Sequence, residues 1–212
     1  MINSELENKL LNLPELLLGN KMWQNKYHEY DVYEHTVKYV EFLKTLTDES
    51  EMIVVGYLHD IGKPVLRIER EKEFQLRKDE KGYDVFEGHE KRGAQMIKEM
   101  DSSLFVQYNL DQDIISKFVG SHYIPMKHFL KMQEMDDWND FIVEYTALNQ
   151  ELEETGLDKD KQMMLFLADS VAKGSKCEDL DEMFMFRAAI VNGNGFLEKL
   201  YRLQRCRYGK PK

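Results

Sequence analysis

The chain has 212 residues, 42% of them hydrophobic, and a formal net charge of −10. That is enough apolar material for one good core, so a single domain over residues 1–212 is expected. The acidic balance argues against sequence-independent binding of long nucleic acid, which needs a basic footprint.

Targeting and redox signals are sparse. The N-terminal MINSELENKL is acidic and lacks the basic-then-apolar order of a signal peptide. The longest apolar run, residues 52–58, is far too short to span a bilayer. Cys177 and Cys206 form no CxxC and no ligand-like spacing, as expected of reduced thiols. These features read as a cytoplasmic protein with no membrane partner, and no pattern speaks to its oligomeric state.

In chain order, Asp31 with Glu34 forms a capping-box pattern that opens a helix through about Leu46. Val32, Thr36, Val37, Val40, Phe42 and Leu43 give that helix its periodicity. Asp48 or Ser50 can cap the next helix, which runs through MIVVGYL into His59-Asp60; Gly62 and Pro64 read as its stop. Residues 65–87 then break the helical period. There VLRIER, FQL and YDVF alternate around Lys81-Gly82, which predicts a small β-hairpin.

A further helix starts near Gly88-His89 and carries Ala94, Met96, Ile97 and Met100. Others are expected over 111–121, 136–148, 159–173, 180–191 and 195–205. Lys199, Arg202, Arg205, Arg207, Lys210 and Lys212 make the tail basic. They read as cations complementing a helix dipole, with a substrate- or RNA-facing arm as the other reading. The expected fold is all-α with a hairpin insertion.

Within this frame His35, His59-Asp60, His89, His122 and Asp169 form the ordered series H…HD…H…H…D, using four of the six histidines. Imidazole nitrogens and carboxylate oxygens are the ligand set of a borderline or hard divalent metal. If the six side chains converge, they can activate water for phosphate-ester hydrolysis. An ionised Asp60 at the end of an apolar helix needs a cation or a metal. Asp169 follows MMLFLA in the same predicament, with Lys173 as its one local partner. His35, His89 and His122 each also read as a core or helix-end histidine; their order is what binds them to the series.

That order, with LHDIGKP (58–64), FEGHEKRGAQMIKEM (86–100), YDVYEHTVKYVEFL (30–43) and LFLADSVAKG (165–174), resembles the HD superfamily of metal-dependent phosphohydrolases. The similarity is greatest to the HD domain of bacterial tRNA nucleotidyltransferases, over about 31–175. Residues 176–212 form a helical extension, and no nucleotidyltransferase head is present. The resemblance implies that His35, His59, Asp60 and Asp169 hold one divalent ion. His89 and His122 match the positions that hold a second ion with Asp60 bridging, or that face the substrate phosphate in one-ion members. Lys63 and Arg92, flanking the ligands, are the implied phosphate contacts, and Asp60 the residue that also orients the attacking water. Lys127 and His128 read as surface residues.

The expected activity is therefore hydrolysis of a nucleotide or RNA-end phosphate ester, of 2′,3′-cyclic phosphodiesterase or phosphatase type. Two other readings stand beside it: a nucleoside-triphosphate or dinucleotide hydrolase using the same site, and a non-catalytic regulatory module. The ligand set suits Mn, Fe, Co, Ni, Zn or Mg.

Overall fold

In the computed structural model, which describes residues 2–73, 78 and 86–208, the chain begins with two short helices, α1 (Ser4–Leu11) and α2 (Pro14–Leu17). Asp31 then caps α3 (Val32–Leu46): its carboxylate accepts from Glu34 N at 2.8 Å and from Lys21 N at 2.7 Å. One carboxylate thus starts the helix and ties down the segment before it. The buried face of α3 is Val32, His35, Thr36, Tyr39, Val40 and Leu43, the i, i+3, i+4, i+7 stripe of a core-facing helix.

Helix α4 (Ser50–Leu58) has no polar face after its first turn, and every residue from Met52 to Leu58 is buried. It therefore sits at the centre of its unit, where each buried aliphatic side chain contributes about 1.5–3 kcal/mol. After three residues, 59–61, the chain re-enters a helix, α5 (Gly62–Lys72), followed by α6 (His89–Glu99), α7 (Ser103–Val106) and α8 (Gln112–Ser121).

The first stretch of the expected hairpin is corrected here. VLRIER is helical, being part of α5, and no β-strand occurs among the described residues. The remainder of that expectation, FQL and most of YDVF, lies outside the described residues. Gly62 and Pro64 do not stop a helix; they open one. Pro64 stands in the first turn, where a missing N–H breaks no helical hydrogen bond. Gly62 is needed because a Cβ there would run into the carbonyl oxygen of His89 and come within 2.7 Å of Gly93 N. The glycine lets α5 and α6 meet backbone to backbone.

The chain divides into two units, residues 1–121 with 171–177, and residues 122–170 with 178–212. In the first, residues 172–175 are fastened by backbone and side-chain contacts. Lys173 O accepts from Glu29 N at 3.1 Å, and Glu29 Oε2 accepts from Ser175 N and Oγ at 2.8 Å each. The second holds α9 (Ile124–Gln133), α10 (Trp138–Glu154), α12 (Leu180–Asn192), α13 (Leu197–Tyr208) and all but the last residue of α11 (Lys159–Val171). Its core is a triangle of Phe129, Phe166 and Phe186, with ring centroids 5.2–5.7 Å apart.

The basic tail is largely matched inside this second unit. Arg205 pairs with Asp136, Arg202 with Glu198, and Arg207 with Asp179 and Glu182. Lys210 and Lys212 lie outside the described residues. No helix of the described residues is long and apolar enough to cross a membrane.

Candidate metal centre

The series read from the sequence begins to converge at the junction of α4 and α5. His59 is the C-cap of α4, and Asp60 follows it before the new helix starts. Because the helix axis changes direction here, the roughly 100° between adjacent helical side chains no longer keeps the two apart. His35 comes from the middle of α3 and His89 from the first residue of α6. All are buried, with His35 and His59 at 0% and Asp60 at 1% exposure.

The three imidazoles are held in the same way. His35 Nδ1 donates to Ala172 O at 3.1 Å, His59 Nδ1 to Gly56 O at 2.8 Å and His89 Nδ1 to Phe86 O at 2.8 Å. A carbonyl oxygen only accepts, so each Nδ1 carries the proton and each Nε2 presents a lone pair. Those Nε2 atoms gather on one carboxylate. Asp60 Oδ2 lies 3.3 Å from His59 Nε2 and 3.7 Å from His35 Nε2; Oδ1 lies 3.2 Å from His89 Nε2. The His35 and His59 Nε2 atoms are 3.4 Å apart.

Two nitrogen lone pairs and a carboxylate oxygen at these distances repel one another unless a cation stands among them. His35, His59 and Asp60 offer ligand atoms all within 4.8 Å of one another. Nitrogen and carboxylate donors without a thiolate suit a borderline divalent ion, so the residues present fit the metal that their pattern implies.

Charge at the site follows from the neighbours of Asp60. Burial by itself would raise its carboxyl. The electrostatic influence of His59 and Lys63, with His89 beside them, outweighs burial and holds it well below the usual carboxylate range. Lys63 is 8% exposed, and its Nζ donates to Asp60 Oδ2 and to Gln24 Oε1, each at 2.6 Å. Tyr39 stacks on His59 with centroids 4.0 Å apart, and His28 meets His35 edge-on at 5.0 Å.

Arg92, expected beside the ligands, is directed elsewhere: its Nε and Nη2 donate to Glu69 Oε1 at 3.1 and 2.8 Å. His122 and Asp169 belong to the second unit. His122, directly after α8, is buried, whereas Asp169, in the last turn of α11, is half-buried. His128 is not a surface residue. It is 3% exposed, with Nδ1 2.6 Å from Glu144 Oε1 and Nε2 2.8 Å from Glu151 Oε2. Lys127 pairs with the same Glu151 at 2.7 Å.

Sequence reasoning missed Gln24, Tyr39 and the carbonyls that orient the imidazoles. Two of those carbonyls had a readable signal, since Gly56 and Phe86 each stand three residues before their histidine. Gln24 had none.

A helical fold around a His–Asp centre of this kind defines a class of protein able to hold a divalent ion and hydrolyse with it. The chain belongs to the HD domain family, whose model matches residues 32–173, more than half of its length. HD domains are in general metal-dependent hydrolases, and the family relation implies phosphohydrolase chemistry. The chain is also 32% identical over 92 residues to an A-adding tRNA nucleotidyltransferase of Deinococcus radiodurans. That match covers 42% of this chain and 19% of the relative, so the chain spans about a fifth of the relative's length. No solved structure matches it significantly.

Proposed function

We propose that the chain hydrolyses a nucleotide or RNA-end phosphate ester, opening 2′,3′-cyclic phosphodiesters or removing a terminal phosphate. The observation that carries this reading is the set of three imidazoles, each anchored through Nδ1 and each turning Nε2 to the one buried carboxylate. The relative acts in tRNA nucleotide addition by its printed name, which favours an RNA end or nucleotide over other phosphate esters.

A divalent ion bound here supplies Lewis-acid activation of water at neutral pH. His35, His59 and Asp60 would hold that ion, with Asp169 as the further ligand that the family pattern implies. Asp60 Oδ1 lies nearest His89; by the family pattern His89 and His122 would hold a second ion or face the substrate phosphate.

Lys63 keeps Asp60 ionised and places a positive charge where phosphoryl oxygens gain negative charge. Arg92 is the lesser phosphate contact, since Glu69 already takes two of its N–H groups. The Nδ1 anchors prevent the rings from turning, so no reorganisation is required as the reaction proceeds.

The test is metal content by mass spectrometry alongside turnover of a panel of cyclic nucleotides, mononucleotides, (d)NTPs and dinucleotides. A metal-loaded protein that hydrolyses cyclic or terminal monoesters fastest supports the reading. Preference for triphosphates or dinucleotides would reassign the substrate. No bound metal, even after reconstitution, would leave a regulatory module.

A further inference from the structure

Gln24 lies outside the residues that match the family, yet it is 2% exposed and touches the centre through Lys63. An ammonium only donates, so the side-chain oxygen of Gln24 must face Lys63 and the amide orientation is fixed. That leaves Nε2, a buried donor with two N–H groups, without a partner among the described residues. Buried amide groups are rarely left in that condition, and each instance calls for an explanation. Lys63 has spent two of its three N–H groups, on Gln24 and on Asp60.

The segment that carries Gln24 is held at both ends. Asp31 Oδ2 accepts from Lys21 N, Trp23 and Asp31 form an antiparallel bridge, and Asn25 Oδ1 accepts from Tyr27 N at 2.9 Å. The donor is therefore fixed in place before any ligand arrives.

We infer that the Gln24 carboxamide and the Lys63 ammonium together form a subsite for a non-bridging phosphoryl oxygen of the substrate. An acceptor with negative charge and several lone pairs is what a neutral amide donor beside a cation recognises. Gln24 thus contacts substrate through Nε2 while its Oε1 aims Lys63. This inference rests on the phosphohydrolase reading for the identity of its ligand.

The experiment measures inorganic phosphate binding by calorimetry for metal-loaded wild type, Gln24→Glu and Gln24→Leu, with metal content and melting temperature recorded for each. Gln24→Glu is close to isosteric and keeps an oxygen on Lys63, but it exchanges the donor at Nε2 for a carboxylate oxygen and adds a negative charge, so the neutral Gln24→Leu is read beside it. It is expected to retain the metal and to weaken phosphate binding about 10- to 100-fold, the size of a lost charge-assisted hydrogen bond. Gln24→Leu should weaken binding too, and where it fails to fold, Gln24→Glu decides alone.

Wild-type phosphate affinity in Gln24→Glu, or loss of its metal, would overturn the subsite, the second by making Gln24 a structural support. Absence of phosphate binding in the wild type would overturn it as well. The two readings separate cleanly. Gln24-dependent phosphate binding without turnover of any ester sinks the hydrolase reading alone; turnover with phosphate binding indifferent to residue 24 sinks the subsite alone.

Discussion

Each of the two units holds a cluster of carboxylate and buried imidazole side chains, and the two clusters are built in opposite proportions. In the first, His35, His59 and His89 surround one carboxylate, Asp60. In the second, one imidazole, His128, stands between the carboxylates of Glu144 and Glu151, with Lys131 and Lys127 behind them. Burial of the imidazoles does not tell them apart, since His128 is 3% exposed. What differs is where the ring nitrogens are engaged. The first cluster sends every Nδ1 to a backbone carbonyl and collects lone pairs in one place, where a divalent ion could be held. The second engages both nitrogens of its ring with carboxylates, leaving no lone pair to offer a metal. One is a ligand set and the other an ion-pair network.

The largest expected effect comes from removing Asp60. Asp60→Ala leaves Lys63 buried without its carboxylate and three Nε2 atoms without their common partner. Metal retention should be lost and turnover fall at least about 100-fold, the size that even an outer partner of a metal ligand commands. Breaking the buried pair should also lower stability by about 3–5 kcal/mol in urea unfolding. Asp60→Ala protein that keeps its metal would end the distinction between the clusters.

Gly62→Ala tests the junction rather than the ligands. The added methyl meets the His89 carbonyl and forces α5 and α6 apart. Overpacking of this kind costs about 1–3 kcal/mol. His89 should be displaced from Asp60 while His35 and His59, on other elements, stay in place. Metal titration is therefore expected to lose a second ion, or phosphate affinity, before the first ion is affected. Equal loss of both would mean that the junction holds the whole centre.

His128→Gln removes the imidazole from the second cluster and turns the comparison around. Stability should fall by about 1–3 kcal/mol, because the contacts of the buried imidazole with Glu144 and Glu151 are lost. Metal content and turnover should match the wild type. Loss of metal in this variant would make the second cluster part of the centre.

The legible part of this molecule was the part written in local spacing. Asp31 and Glu34 announced α3, the apolar run announced α4, and the order of His35, His59, Asp60 and His89 announced residues that the fold does bring together. Gly62 and Pro64 misled because the same residues punctuate a helix start as readily as a stop; only the neighbouring backbone of α6 says which. VLRIER alternates over too few residues to separate strand from helix. His128 reads as a surface residue beside Lys127, since the two glutamates that pack against it lie on the next helix. Gln24 is 39 residues from Lys63 and carries no motif, so nothing short of the fold pairs them.

The smallest effect expected is a pH dependence of the second cluster. Burial would raise the Glu151 carboxyl, but hydrogen bonds from Lys127 and His128 outweigh it and hold the group below the usual glutamate range. A carboxyl depressed by folding binds fewer protons folded than unfolded. Its contribution is therefore full above the ordinary value of about 4.3 and is lost as pH falls through the lower folded value. Glu151 is 37% exposed, so solvent screening limits that contribution to a few tenths of a kcal/mol. Glu151→Gln should flatten the acid limb of stability against pH slightly. Raising salt from 0.1 to 1 M should shrink the difference from wild type, because the screening length falls from about 10 to about 3 Å. A difference that survives 1 M salt would mean that Glu151 acts by hydrogen-bond geometry rather than charge, and so stands closer in kind to the carbonyls that anchor the histidines of the first cluster.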